Sequence, residues 1–309
     1  MANLQSTESA YINWLRRRIP AHPRVLIGPG DDTAAVIVDG TRPLLITTDM
    51  LMEGSCFLLK EAGPRAVGRK ALAVNLSDIA AMAGTPTAAV VSLGLPRTGG
   101  RELAEQLFEG IHELADEFRV PIVGGDTNTW SGQLVISITV IGESIGHRPV
   151  PRSGARAGDW IFVTGHLGGS ILGKHLSFTP RLREATALHQ QVTLRAMIDI
   201  SDGLAKELHH LGQESGCGAR LRSAAIPIAD AARQLALTSG KPPLRHALGD
   251  GEDFELLFCV SPEDGERLLQ NPVVPVFHIG EMTDAGFEIE IDGNHEPLEA
   301  WGYEHAMSE

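Results

Sequence analysis

Five short segments place aspartate beside glycine or hydroxyl residues, and these segments hold the side chains most suited to chemistry. They are Gly28-Pro29-Gly30-Asp31-Asp32, Thr47-Thr48-Asp49, Gly124-Gly125-Asp126-Thr127, Asp199-Ile200-Ser201-Asp202-Gly203 and Gly249-Asp250-Gly251-Glu252-Asp253. Each one alone is explained as a turn or a helix cap, because glycine adopts positive φ and aspartate hydrogen-bonds its own backbone. Together they lie nearly all at the ends of predicted strands, where open α/β folds bind ligands, and they therefore indicate a shared site.

One further aspartate outside these five segments, Asp78, is predicted to lie on the apolar side of a helix that begins at Pro64. Val67, Ala71 and Val74 share its face at helical spacing. Aspartate is rarely buried in proteins unless it is paired or bound to a metal ion. The competing interpretation is a frayed helix end that turns Asp78 outward.

If these aspartates converge, the site is suited to phosphoryl transfer assisted by a divalent cation. Carboxylates packed together raise one another's pKa and destabilise a fold. Mg²⁺ relieves that conflict, because it prefers oxygen ligands and keeps substrate phosphates in its shell. The hydroxyls of Thr47 and Thr48 would add neutral oxygens. Arg152 would hold a phosphate with its fork of donors, although an ordinary surface arginine explains it equally well.

The reaction predicted for such a site is direct in-line transfer, and no catalytic general base is expected. Phosphoryl transfer depends mainly on positioning and on charge neutralisation. An acceptor phosphate monoester has a second pKa of about 6, so its attacking oxygen is already largely ionised at neutral pH.

Other catalytic motifs do not fit. The segment Gly168–His175 nearly matches a phosphate-binding P-loop, but it has His175 where that loop needs Ser or Thr. The segment is also predicted to be helical by Leu172, which leaves no loop to bind a phosphate. The pair Gly28 and Gly30 lacks the third glycine of a dinucleotide fingerprint, and the chain contains neither a GxSxG nor an HExxH motif.

Composition narrows the class of protein. The 309 residues are 43% hydrophobic, enough for a sizeable core, and carry a formal net charge of −13, which disfavours nucleic acid and anionic membranes. No apolar stretch approaches the roughly 20 residues that span a bilayer, and the N-terminus lacks a signal-peptide pattern. Cys56, Cys217 and Cys259 form no CxxC pair, so a reducing cytoplasm is expected.

Mixed strands and helices in both halves predict a two-domain α/β or α+β protein, divided near the turn-rich segment 149–154. The predicted domains are residues 1–150 and 151–309. Helices are predicted near 9–18, 64–82, 102–118, 181–194, 202–215 and 262–270, and strands near 33–38, 44–48, 87–95, 134–145, 160–164, 254–260, 275–280 and 287–291.

Several motifs in series resemble the thiamine-monophosphate kinases of the aminoimidazole-ribonucleotide-synthetase superfamily. In order they are IGPGDDTAAV, ITTDMLMEG, KALAVNLSDIAAMAGTP, IVGGDT, PRSGARAGDWIFVTGHLGG, MIDISDGL, GEDFELLF and WGYEH, which together run from about Gly28 to His305. The resemblance implies ATP-dependent phosphorylation of thiamine phosphate to thiamine diphosphate. It also implies a superfamily fold of mixed sheets flanked by helices, with an N-terminal domain that binds ATP and Mg²⁺ and forms the homodimer, and a C-terminal domain that closes the active site.

The resemblance also assigns residues by motif. The implied Mg²⁺ ligands are Asp32, Thr47, Thr48, Asp49, Asp78, Asp126, Asp199 and Asp202, the nucleotide contacts Gly125, Asp126, Arg152 and Ser201, and the substrate contacts Cys56, Glu252 and Tyr303. An aromatic side chain such as Tyr303 suits a cationic thiazolium or a pyrimidine ring.

The chain departs from the family pattern at Cys56, which stands where the family usually has a histidine. Three alternatives stay open. They are another ATP-dependent enzyme of the superfamily, such as a ligase or a selenophosphate synthase, a kinase for a different phosphorylated acceptor, and a non-catalytic nucleotide-binding module.

Overall fold

The computed structural model describes residues 23, 25–28, 31–38 and 43–305, and these ranges build two mixed β-sheets, one from each half of the chain. The helix predicted near 9–18 lies outside the described residues. No helix in the described ranges is long and apolar enough to cross a membrane.

The first half forms a six-stranded sheet with helices on one face. Its elements are β1 (Val25–Ile27), β2 (Ala34–Ile37), β3 (Pro43–Met52), α1 (Leu59–Ala62), α2 (Pro64–Ala81), β4 (Gly84–Pro96), α3 (Gly100–Phe118), β5 (Ile122–Trp130) and β6 (Val135–Ser144). The strand order is β1-β2-β3-β6-β4-β5, and only β4 and β5 run parallel to each other.

Strand β3 shows how the two faces of this sheet differ. Leu45, Thr47 and Leu51 are buried towards the helices, whereas Thr48 and Met50 are exposed on the opposite face. This alternation follows from the two-residue period of a strand. The face that carries Thr48 and Met50 is called the open face below, because no described helix covers it.

Helix α2 is buried around almost its whole circumference. It packs against α3, against the first sheet and against strand β8 of the second half. Helices α2 and α3 cross closely at Gly68 and Gly110, where an added Cβ would meet the carbonyl oxygens of Leu107 at 2.1 Å and Arg65 at 1.9 Å. The Lys70 side chain of α2 is thus held inside the molecule, whereas that of Arg65, near the start of the helix, is exposed.

The second half forms a seven-stranded sheet. Its elements are β7 (Trp160–Val163), α4 (Lys174–Ser177), α5 (Leu182–Gln191), β8 (Ala196–Asp199), α6 (Leu204–Ser215), β9 (Gly218–Arg222), α7 (Asp230–Ser239), α8 (Pro243–Gly249), β10 (Leu256–Val260), α9 (Pro262–Gln270), β11 (Phe277–Thr283), β12 (Phe287–Ile291) and β13 (Asn294–Pro297), with 3-10 turns at Ser170–Leu172 and Ser223–Ala225. The strand order is β13-β12-β9-β11-β7-β10-β8.

Both faces of this second sheet are covered at its centre. In β10, Leu256 and Phe258 belong to the core shared with the first half, whereas Leu257 and Cys259 belong to the core under α6. A strand buried on both faces has a continuous apolar sequence, as β10 does. The shared core fixes strand β8, and with it Asp199, against α2 of the first half.

Two motifs lie in different local structure from that predicted. Thr47, Thr48 and Asp49 sit in the middle of β3, not at the end of a strand. Gly125 and Asp126 lie inside β5, because the backbone of this glycine-rich segment pairs with β4 and continues as far as Trp130. The predicted strand ends at these two positions were therefore wrong.

Candidate active site

A cleft of about 570 Å³ is lined by residues from both halves, and its size is ordinary for a small-molecule site. The structure brings twelve of the sequence-predicted site residues to its wall. They are Asp32, Cys56, Thr47, Thr48, Asp49, Asp78, Arg152, Asp199, Ser201, Asp202, Glu252 and Tyr303. Gly125 and Asp126 are not among the residues that line it.

Three carboxylates from distant parts of the chain meet in this cleft. Single oxygens of Asp32, Asp78 and Asp199 all lie within 4.8 Å of one another. Asp78 is on α2 and accepts a hydrogen bond from the hydroxyl of Thr47. Asp199 ends β8 and accepts a hydrogen bond from Ser77 of α2. Asp78 thus points inward, as predicted, and belongs to this acidic cluster.

Burial and mutual repulsion raise the pKa of several of these carboxyl groups. Burial, followed by the charges of Asp49 and Asp199, holds the pKa of Asp78 well above its ordinary value. Burial and then the charge of Asp32 do the same for the pKa of Asp199. The pKa of Asp49 rises to about 6, mainly through burial. Without a cation, the ionised form of this cluster is thus disfavoured.

The donor set fits a hard divalent cation. Every group in the cluster offers oxygen, the ligand atom that Mg²⁺ and Ca²⁺ prefer. The Oδ2 atom of Asp49 is buried and has no hydrogen-bond partner among the described residues. A buried carboxylate oxygen without a donor is costly unless a cation lies near it.

Thr48 differs from its neighbour in orientation. Its side chain is on the open face of β3, where Thr139 donates to its hydroxyl at 3.0 Å and the hydroxyl donates to the Ile138 carbonyl at 3.2 Å. Thr47 points the other way, towards Asp78. Because successive strand residues point to opposite faces, the two hydroxyls cannot both enter the acidic cluster.

Arg152 already has an anionic partner in the cleft. Its guanidinium donates to both carboxylate oxygens of Asp32 at 2.9 Å, and its backbone N–H donates to Asp31. The pKa of Asp31 rises to about 6, first through burial and then through the charge of Asp32. Arg152 therefore neutralises one member of the cluster in this state of the protein.

The turn at Ser201 and Asp202 is held by a residue that the motifs did not identify. Glu207 of α6 is buried and accepts from the Asp202 N–H at 3.1 Å and from the Ser201 hydroxyl at 3.3 Å. Burial by itself would raise the pKa of Glu207, but its hydrogen bond with His210 lowers it overall. Neither Ser201 nor Asp202 caps α6, whose N-cap is Gly203.

Two lysines of the cleft were also missed by motif reasoning. Lys206 donates to Asp202 at 2.8 Å and to the backbone carbonyl of Tyr303. Lys70 donates to the carbonyl of Cys56 at 2.8 Å and to the Glu252 carboxylate. The signal for Lys70 was present in the sequence, since Lys70 lies eight residues before Asp78 and therefore on the same helix face.

The C-terminal segment brings an aromatic side chain to the rim of the cleft. The Tyr303 N–H donates to the Asp202 carbonyl at 3.0 Å, and its half-exposed ring lines the cleft. Two residues earlier, the Trp301 ring lies 3.3 Å from the Arg245 guanidinium carbon, a cation–π contact.

Gly125 and Asp126 lie on β5, the edge strand of the first sheet. Asp126 of β5 pairs with Ser92 of β4, and Ser92 pairs with Ser137 of β6. Ser137 in turn pairs with Met50 of β3, which lines the cleft. Three strand spacings separate Asp126 from Met50, or about 14 Å. Position 125 requires glycine, because an added Cβ would meet the carbonyl oxygen of Val91 at 1.8 Å.

The segment Gly168–His175, which nearly matches a P-loop, contains a short turn and the start of a helix. Ser170–Leu172 is a single 3-10 turn, and the predicted helix begins only at Lys174. Lys174 donates to the buried Glu255 at 2.8 Å.

Comparison with known proteins gives matches along most of the chain. The family model of AIR synthase related protein, N-terminal domain, matches residues 30–144, and that of AIR synthase related protein, C-terminal domain, matches residues 161–292. Thiamine-monophosphate kinase of Rhodopirellula baltica is 43% identical over 284 residues, which cover 89% of each chain.

More distant relatives show the same pattern. Thiamine-monophosphate kinase of Aquifex aeolicus is 34% identical over 290 residues, covering 88% of this chain and 91% of that protein. The solved structure of AaThiL complexed with AMPPCP and TMP is similar to this fold, with a TM-score of 0.84 and 32% identity over 97% of each chain.

Proposed function

The chain belongs to the thiamine-monophosphate kinases of the AIR synthase related family, and we propose that its cleft transfers the γ-phosphate of ATP to thiamine phosphate, giving thiamine diphosphate. The observation that carries the proposal is the meeting of Asp32, Asp78 and Asp199 in one cleft of suitable size. A relative that is similar over nearly the whole chain holds AMPPCP, an ATP analogue, together with TMP.

We propose that the cofactor is Mg²⁺ and that the acidic cluster holds it. When bound, Mg²⁺ would neutralise charge between the phosphates of ATP and the acceptor phosphate. Asp32, Asp78 and Asp199 are the central ligands, with Asp49, Asp202 and Thr47 at their margin. Because Thr48 bonds across the open face, its hydroxyl is a poorer ligand than that of Thr47.

The proposed reaction is direct in-line transfer, in which this chain positions two anions and supplies no general base. The acceptor phosphate is already largely ionised at neutral pH, since its second pKa is about 6. Arg152, Ser201 and Gly125 are the proposed nucleotide contacts. Cys56, Glu252 and Tyr303 are the proposed acceptor contacts, and all three line the cleft.

A homodimer that pairs the open faces of two first sheets is also proposed. That face carries Ile46, Met50 and Met52 from β3 without a described helix over them. A two-fold axis that runs along the strands between β6 and β4 would lay β5 of one copy over β3 of the other. Asp126 would then approach the cleft of the second copy, which explains why it is remote from its own.

A cytoplasmic location is proposed as well. The cysteines Cys56, Cys217 and Cys259 are all free thiols. Disulfides are rare in reducing compartments, so free thiols agree with such a setting.

The test of the proposed function is incubation of the purified protein with Mg²⁺, ATP and thiamine phosphate. Chromatography should show thiamine diphosphate and ADP in equal amounts, and excess EDTA should abolish both. A folded preparation that phosphorylates a different acceptor would overturn the thiamine phosphate assignment. One that binds ATP without turnover would indicate a nucleotide-binding module instead.

The raised pKa values predict an unusual dependence of stability on pH in EDTA. Asp31 and Asp49 have folded-state pKa values of about 6, above the ordinary 3.8, so the folded protein binds more protons than the unfolded chain. Their stabilising contribution is complete below about pH 4 and is lost as the pH rises through about 6. Over the whole range each shift corresponds to about 3 kcal/mol of stability. Urea unfolding should therefore show a less stable protein at pH 8 than at pH 5.

Two controls identify the groups responsible. Saturating Mg²⁺ should restore much of the stability at pH 8, because a cation compensates the ionised cluster. The variant Asp49→Asn should show a smaller difference between pH 5 and pH 8. Equal stability at both values in EDTA would contradict the assignment.

A further inference from the structure

Lys70 is a buried charged residue, with 1% of its side chain exposed. It projects from α2 to the wall of the cleft, eight residues before Asp78 on the same helix face. A buried ammonium is costly unless its donors are satisfied by charge and by hydrogen-bond acceptors. The two partners of Lys70 therefore show what the side chain is there to hold.

Those partners come from the two halves of the chain. One is the backbone carbonyl of Cys56, in the turn after β3, at 2.8 Å. The other is Oε1 of Glu252, which lies before β10 in the second half of the chain. A single ammonium thus ties a turn of the first half to a loop of the second, and both elements line the cleft.

The loop that carries Glu252 needs such a tie. Glu252 and Phe254 have φ values of 54° and 50°, in the left-handed region that residues with a side chain seldom adopt. Backbone bonds from Glu252 to Ser201 and from Phe254 to Ile200 hold the main chain. They leave the direction of the Glu252 side chain to other contacts.

Lys70 supplies the contact that sets this direction. Among the described residues it is the hydrogen-bond donor to the Glu252 side chain, and it engages Oε1 alone. The Oε2 oxygen is left for another partner, and Glu252 keeps 35% of its side chain exposed. Strained backbone held by surrounding contacts is a common means of pre-organising a binding group.

We propose that Lys70 is a positioning residue for the acceptor side of the reaction. It fixes the Glu252 carboxylate and the turn at Cys56 relative to each other, and so it sets affinity for thiamine phosphate more than affinity for ATP. This inference rests on the proposed function of the same cleft. It gives the main chain of Cys56 a role that does not depend on the side chain at that position.

The kinetic test uses Lys70→Met, which keeps the length of the side chain and removes its charge. The KM for thiamine phosphate should rise at least about tenfold, with the KM for ATP changed by less than about twofold. Glu252→Gln should raise the KM for thiamine phosphate similarly. In the double variant the two effects should not add, because they remove one interaction. Equal increases in both KM values would overturn the proposal.

A second readout does not require turnover. In a Cys217→Ser background, the half-buried Cys56 thiol is the accessible one, since Cys259 is fully buried. Labelling of Cys56 by a disulfide reagent should become several-fold faster in Lys70→Met, because the turn loses its anchor. The exposed Lys60→Met variant is the matched control and should label at the parental rate. An unchanged rate of Cys56 labelling in Lys70→Met would also overturn the proposal that Lys70 anchors this turn.

The two readouts separate the failure of this inference from that of the proposed function. The parental protein could make no thiamine diphosphate while Cys56 still labels faster in Lys70→Met. In that case the substrate assignment fails, but the link that Lys70 forms between Cys56 and Glu252 stands. If Lys70→Met does not fold, Glu252→Gln is measured alone, since the Glu252 side chain is 35% exposed. An unchanged KM for thiamine phosphate in that variant would then overturn the inference.

Discussion

Replacement of Asp78 by asparagine should lower the rate of thiamine diphosphate formation by about a thousandfold while the fold survives. The carboxylate of Asp78 meets those of Asp32 and Asp199 within 4.8 Å, so it belongs to the centre of the acidic cluster. Asparagine keeps the shape and one oxygen but removes the charge that holds a divalent cation. The loss should appear in single-turnover kinetics, because it affects the chemical step.

The same variant should not be less stable than the parent protein in EDTA. Burial and the charges of Asp49 and Asp199 disfavour ionised Asp78, so the amide removes repulsion from the metal-free cluster. Calorimetric titration should show weaker Mg²⁺ binding, and urea unfolding should show equal or greater stability. Asp116→Asn, on the exposed surface of α3, is the matched control and should change neither quantity. Near-normal turnover in Asp78→Asn would remove Asp78 from the metal site.

The acidic cluster could be predicted from the sequence because its chemistry is local. Aspartate beside glycine marks a turn that exposes a carboxylate, and aspartate on an apolar helix face marks a buried one. Asp32 and Asp199 lie in short segments that contain a glycine, Asp78 lies on an apolar helix face, and all three reach the cleft. The family motifs added residues, such as Glu252 and Tyr303, whose local context is uninformative.

The directions in which the side chains point could be predicted less completely. Whether Thr47 or Thr48 faces the cluster depends on where β3 begins and on which face α2 covers, and the predicted strand was too short to show either. Strand β8 has only four residues, too few to show a period, and β5 contains glycine, aspartate and asparagine instead of an apolar run. Both form because neighbouring strands offer them hydrogen-bond partners.

The supporting residues depend on contacts between the two halves. The position of Lys70 on the helix face of Asp78 can be predicted from the sequence, but its role in the site appears only when Glu252, 182 positions later, is placed beside it. Glu207 reaches the turn at Asp202 because Gly203 starts a helix between them. A single sequence shows the residue types, but the partner that turns a buried lysine into part of a site comes from the tertiary fold.

Asp126→Asn should reduce turnover at least about a hundredfold even though Asp126 lies about 14 Å along the sheet from Met50 of its own cleft. The reason is the proposed dimer, in which β5 of one copy lies over β3 of the other and Asp126 completes the partner's acidic site. Strand β5 is exposed along nearly its whole length and lies at the edge of the sheet, so a second copy can pack against it. Size-exclusion chromatography with light scattering should find a dimer of the parent and of the variant.

Subunit complementation decides whether Asp126 acts across the interface. Asp78→Asn and Asp126→Asn chains are co-expressed with different tags, and the mixed dimer is purified. One of its two sites would combine an intact Asp78 with an intact Asp126 from the other chain, so the mixed dimer should recover about half of the parental activity. Each variant purified alone supplies the inactive baseline. If Asp126 instead serves its own subunit, both sites of the mixed dimer contain a defect and the preparation should stay at that baseline.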